Sequence, residues 1–156
     1  MKAIVQTWLD DKTKAIAVNY HAMGLAASGK FEKELENKII ETSTGLNAKI
    51  LGVDYSYQLQ NGRGATSEGK KGRLYNVILK WVEQKGIQVE NKKSFAYLVA
   101  RKIDKQGIKV PNQYNAGGLI SKVINQEAID DLSRQLMAYQ IADIQSQVLK
   151  QWQSQG

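Results

Sequence analysis

Ile39-Ile40-Glu41-Thr42-Ser43-Thr44-Gly45-Leu46-Asn47-Ala48-Lys49-Ile50-Leu51-Gly52-Val53 is the stretch that decides the fold class. Residues 39–44 and 48–53 are rich in β-formers, and Gly45-Leu46-Asn47 between them reads as a hairpin connection. The chain on either side is dominated by helical periodicity. The combination predicts an α+β domain: a small, mainly antiparallel sheet packed with a long N-terminal helix, two middle helices and a long C-terminal helix.

Toward the N-terminus, residues 3–27 read as helix. No Pro or Gly interrupts them before Gly24, and Ile4, Trp8, Ala15, Val18, Ala22 and Leu25 follow a period near 3.6. Ser28-Gly29 ends that helix, and residues 31–36 can add one or two turns with Ser28 as N-cap. Toward the C-terminus, Tyr55, Tyr57 and Leu59 alternate with Ser56, Gln58 and Gln60, which is strand spacing with the aromatics on one face. Those aromatics either face the core or form a stacking platform for single-stranded nucleic acid. Residues 61–73 hold four glycines, with Arg63, Lys70, Lys71 and Arg73 against Glu68 alone, and predict a flexible basic surface loop.

Two helices follow. Leu74, Val77, Ile78, Trp81 and Val82 form one apolar stripe, which places Trp81 and Val82 in the core. Phe95, Leu98, Val99 and Ile103 form another, with Ser94 as its expected N-cap. Each stripe stops at a Gly-Ile pair, Gly86-Ile87 and Gly107-Ile108, which predicts a Schellman stop at both. Beyond Pro111 and a loop, residues 119–124 read as a short strand or a helix lead-in. Asn125 then caps a last helix of about 126–152, with Glu127, Asp130 and Asp131 near its positive end. Ile129, Leu132, Leu136, Ile141, Ile144, Val148 and Trp152 keep one of its faces apolar, and Gln135, Gln140, Gln145, Gln147, Gln151 and Gln153 make the other amide-rich. About 39 Å of helix overhangs a domain whose radius of gyration is ~15 Å. Its far end, around Val148, Leu149 and Trp152, is therefore expected at a subunit interface.

With 156 residues, 42% of them hydrophobic and one Pro, the chain suits a single domain spanning 1–156 rather than disorder. No apolar run reaches membrane-spanning length, and the first residues lack the pattern of a signal peptide. The net charge of +7 is unevenly placed: residues 1–45 sum to zero, 46–110 to +8 and 111–156 to −1. A concentrated positive segment suits an anionic partner, a nucleic acid or an acidic protein surface.

Chemistry is sparsely represented. With no Cys, thiolate catalysis and thiolate metal sites are excluded. Residues 64–70 fit the Gly-x4-Gly-Lys part of a phosphate-binding loop, but Lys71 stands where Ser or Thr would ligate magnesium. His21 is the only histidine and has no carboxylate at helical spacing, so it reads as a surface residue. Glu32, Glu34, Glu36 and Glu41 are interleaved with Lys33 and Lys38 as on a solvated face. No convergent titratable set is legible, and the reading is of a non-enzyme without cofactor, metal or catalytic residues.

The order of elements resembles the tail-completion, or neck, proteins that join head to tail in tailed bacteriophages. The resembling stretch is 53–124, with a looser match at Gly24-Leu25-Ala26-Ala27-Ser28-Gly29. Its landmarks are Tyr55-Ser56-Tyr57-Gln58-Leu59-Gln60-Asn61-Gly62, the basic glycine loop, Leu79-Lys80-Trp81-Val82-Glu83-Gln84-Lys85-Gly86, Phe95-Ala96-Tyr97-Leu98-Val99-Ala100-Arg101-Lys102-Ile103 and Gly107-Ile108-Lys109-Val110-Pro111. The resemblance implies a structural virion subunit, made in the host cytoplasm. It would form a ring with copies of itself around the DNA channel, between portal-side connector and tail proteins. In that setting Arg63, Lys70, Lys71 and Arg73 would face a partner or packaged DNA, and no membrane is involved. The alternative is a small basic nucleic-acid-binding module.

Overall fold

A computed structural model describes residues 1–66 and 72–154. The first helix, α1, spans Lys2–Ala22, and it buries Val5, Leu9, Ile16 and Tyr20. This face lies one residue on from the expected stripe. Val18 is exposed, and Ile4 and Trp8 are only half-buried. The periodicity therefore gave the helix correctly and its phase incorrectly, because the apolar residues cover more of its circumference than one neighbour can bury. Trp8 donates its indole N–H to the Ala128 carbonyl at 3.1 Å, which ties α1 to the start of the last helix.

The four-residue helix α2 (Lys30–Lys33) follows, with Ser28 accepting from the Lys30 amide at 3.4 Å and Gly29 at the cap position. Next comes the antiparallel hairpin of β1 (Glu36–Thr42) and β2 (Gly45–Leu51). Thr42 pairs with Gly45, so the turn is Ser43-Thr44 and Gly45-Leu46-Asn47 already belongs to β2. The hairpin lays Asn37 against α1. Its side chain donates to Asp10 Oδ1 at 2.7 Å and accepts from the Thr13 hydroxyl. Lys2 bonds Glu41 at 2.6 Å and holds that carboxyl below its usual pKa, but both side chains are exposed and the pair adds little stability.

The expected strand over 55–60 is absent. Ser56–Asn61 form the short helix α3, introduced by Ser56 bonding the Val53 carbonyl at 2.7 Å. Tyr57 points to solvent at 73% exposure, while Tyr55 and Leu59 pack on the core. In six residues, alternation at i, i+2, i+4 and a helical i, i+4 pair share the same two residues, so spacing alone did not separate them.

Gly62–Arg63 then form β3, which pairs antiparallel with β4 (Ile108–Lys109). Between them lie α4 (Leu74–Gln84) and α5 (Lys92–Gln106), packed on each other through Val82, Ala96 and Ala100. The expected loop 61–73 is thus shorter at its start, and its residues 67–71 lie outside the described residues. Trp81 is not core: it is 37% exposed, whereas Val82 beside it is fully buried. The stop of α4 is a Schellman motif, with Ile87 bonding the Val82 carbonyl at 3.1 Å and Gly86 that of Glu83 at 3.1 Å. The stop of α5 is different. Gly107 bonds Ile103 and leads straight into β4, so its neighbour Ile108 pairs with Arg63 rather than folding back. The N-cap of α5 is Asn91, whose side chain accepts from the Ser94 amide, and not Ser94 itself.

Residues 112–124 are turns held by amide side chains. Asn19 donates to the carbonyls of Gly118 and Leu119, Asn115 to that of Leu59, and Gln60 accepts from the Ile120 amide. They deliver Leu119 into the main cluster with Ile16, Tyr20, Phe31 and Val53. Asn125 caps α6 (Gln126–Gln153) as expected, accepting from Ala128 at 2.9 Å.

Tyr20 gives the core a pH signature. Burial, then the charges of Tyr55 and Glu32, push its phenol from 10.0 up to about 12. Below pH 10 it is neutral in both folded and unfolded chains, and its contribution to stability is fully present. As pH rises toward 12 the unfolded chain ionises first, and that contribution is lost. Thermal melts above pH 10 will fall along this limb, and Tyr20→Phe will flatten it. An unchanged limb in that variant would assign the alkaline loss to other groups.

Candidate functional site

Of the basic set read from the sequence, the structure describes Arg63 and Arg73. Arg63 lies in β3, half-buried, and donates to the Thr66 hydroxyl at 2.9 Å. Arg73 is exposed at the cap of α4. Lys70 and Lys71 lie outside the described residues. The excess charge extends well beyond the glycine loop: residues 72–109, Arg73 included, carry nine Lys or Arg against Glu83, Glu90 and Asp104, a net of +6. The sequence already places the charge excess in residues 46–110, but not the face on which these cations gather.

Asp104 organises the surroundings. It is buried at 6% exposure, accepts from the Gly72 amide through Oδ2 at 2.9 Å, and its backbone carbonyl accepts from Thr66 at 2.9 Å. One residue of α5 thereby holds both flanks of the 67–71 segment. Beside it, two shallow grooves run along the α4–α5 hairpin. The outer one, of about 510 Å³, is lined by Tyr75, Lys93, Ser94, Tyr97 and Leu98. The inner one, of about 250 Å³, shares Tyr75 and Tyr97 and adds Arg101, Asp104 and Lys105. Spacing on α5 explains the lining: Lys93, Tyr97, Arg101 and Lys105 recur every four residues, beside the buried Ala100 and Asp104, which also line the inner groove.

No family model, curated protein or solved structure matches this chain. The reading of function therefore rests on the residues themselves.

His21 has a partner that its helix could not reveal. Its Nε2 lies 2.6 Å from Glu32 Oε1, across the turn between α1 and α2. Eleven residues separate the two, so helical spacing gave no signal. The imidazole is largely exposed, and neither groove includes the pair. Among the described residues no group of three or more His, Asp or Glu side chains is placed to hold a metal ion, and no helix is long and apolar enough to cross a membrane.

The second surface is α6. Its 28 residues extend ~42 Å. Only Ala128 is buried, and Leu132 and Leu136 are half-covered. From Met137 onward every residue through Gln153 is exposed, including Ile141, Ile144, Val148, Leu149 and Trp152, the last at 72%. Met137, Ile141, Ile144 and Val148 fall at alternating spacings of four and three, one seam along the helix. Val148, Leu149 and Trp152 thus stand on a free helix end rather than in the core.

Proposed function

We propose that this chain is a structural, non-enzymatic virion protein, a head-tail connector subunit that forms a ring in the neck around the DNA channel. The observation that carries the reading is the free half of α6, more than four turns of helix with an uncovered apolar seam. An apolar surface of this kind is costly on a permanent monomer. It is natural where each copy offers one patch to a different patch on the next, the arrangement that closes into rings. The resemblance of residues 53–124 to tail-completion proteins supplies the setting: other copies of itself, portal-side connector proteins and tail proteins as partners, with the host cytoplasm as the place of synthesis.

Truncation after Gln145 separates assembly from folding. The described residues removed, 146–154, are exposed, so the shortened chain will keep the melting temperature of the full chain to within a few degrees. Sedimentation of the full chain will show a closed oligomer and of the truncated chain a monomer, and the truncated chain will be missing from purified particles by mass spectrometry. Unfolding of the truncated chain, or an unaltered oligomer, would overturn the reading.

A further inference from the structure

The α4–α5 hairpin carries a second exposed surface, on elements other than α6. On α5, Lys93, Tyr97, Arg101 and Lys105 form a line with ~6 Å of rise between neighbours. All four are exposed, Tyr97 at 55%. Tyr75 approaches from α4, so both grooves have a tyrosine on each wall. The one acid on α5, Asp104, is buried and turned to the Gly72 amide.

We propose that this face binds single-stranded nucleic acid, with Lys93, Arg101 and Lys105 along the phosphates and Tyr75 and Tyr97 against the bases. Two features select that partner. The cations follow one helical row beside a groove, which suits a linear polyanion better than a compact anion. The groove walls are aromatic and shallow, so an unpaired base can lie on a ring face, whereas a base stacked inside a duplex cannot reach one. An acidic protein surface would satisfy the cations and leave the two tyrosines without a role. The exposed seam of α6 and this face are on different elements.

Fluorescence anisotropy of the full chain with labelled oligo-dT, and with a duplex of equal length, tests it over a salt series. Oligo-dT will bind more tightly than the duplex. Tyr97→Ala will weaken it roughly tenfold with the salt slope unchanged, and Tyr97→Phe will restore binding. The triple change Lys93→Gln, Arg101→Gln and Lys105→Gln will flatten the slope by about 2, as expected for three lost phosphate contacts on a single strand. These side chains are exposed, and unchanged melting curves will show that the variants fold. Absence of oligo-dT binding at low salt overturns the proposal, as does a duplex bound equally well with Tyr97→Ala neutral. The chain truncated after Gln145 will bind oligo-dT like the full chain, so failure of assembly and failure of this site are read separately.

Discussion

Phe31→Ala will cost roughly 3–5 kcal/mol, a large share of the 5–15 kcal/mol that holds a typical domain folded. Phe31 is 1% exposed and is the largest of the fully buried side chains. Its ring stacks on Tyr20 with centroids 4.3 Å apart, in a cluster completed by Ile16, Val53 and Leu119. Those partners come from α1, from the link after β2 and from the turns before α6. They cannot close over a missing ring without moving three separate parts of the chain. The helix that carries Phe31 has only four residues, too few to hold itself, so this one side chain fastens the connection between α1 and the hairpin. Urea denaturation will show a lower midpoint with an unchanged slope. Trp81→Ala in the same assay will cost less, because that ring is partly in water already. A loss below about 1 kcal/mol for Phe31→Ala would show that the site collapses freely and is not the keystone of the core.

Gly107→Ala will destabilise by roughly 3 kcal/mol or more, for two reasons that add. Its φ of +71° is a backbone conformation that an L side chain resists. A methyl there would also run into the Arg63 carbonyl oxygen and come within 2.7 Å of the Gly64 carbonyl carbon. Gly62, which pairs with Lys109 in the ladder, is similarly confined: φ is +81°, and a methyl would strike the Ile108 carbonyl. The β3–β4 ladder is therefore two strands whose backbones approach through a glycine on each side. Neither obstacle is the end of a flexible side chain, so relaxation must move backbone. The substitution will uncouple the α4–α5 hairpin from the rest before it unfolds the main cluster. Amide hydrogen exchange will report early loss of protection at residues 62–63 and 108–109. Equal loss across α1 and the β1–β2 hairpin would show a single cooperative unit instead. By contrast, Gly86→Ala meets no atom within 4 Å and bears only the positive-φ cost.

Single residues with local duties were legible directly. Asn125 announces α6 because an amide before an acidic turn can satisfy an orphan N–H using only its own neighbours. Gly86-Ile87 ends α4 because its two hydrogen bonds reach back no further than five residues. The overhang of α6 followed from length alone, since ~42 Å of helix is more than a domain expected to have a radius of gyration of ~15 Å can cover. The α+β class, the β1–β2 hairpin and the four main helices were likewise readable from local composition and periodicity.

What depended on remote partners was not. Tyr55 and Leu59 satisfy strand and helix spacing equally, and the core below them decided for α3. The buried face of α1 was set by where the hairpin and α6 lie, not by its most apolar row. Gly86 and Gly107 precede the same residue type and end similar helices, yet only the second has another backbone against it. Of the site, the cations of α5 were visible as residues but not as a line facing Tyr75. The His21–Glu32 pair was not visible at all. A sequence states which groups are near in the chain, and helical and strand propensities act over that range. Which faces meet is a matter of burying the most apolar surface for the whole molecule at once, and that choice belongs to the tertiary structure.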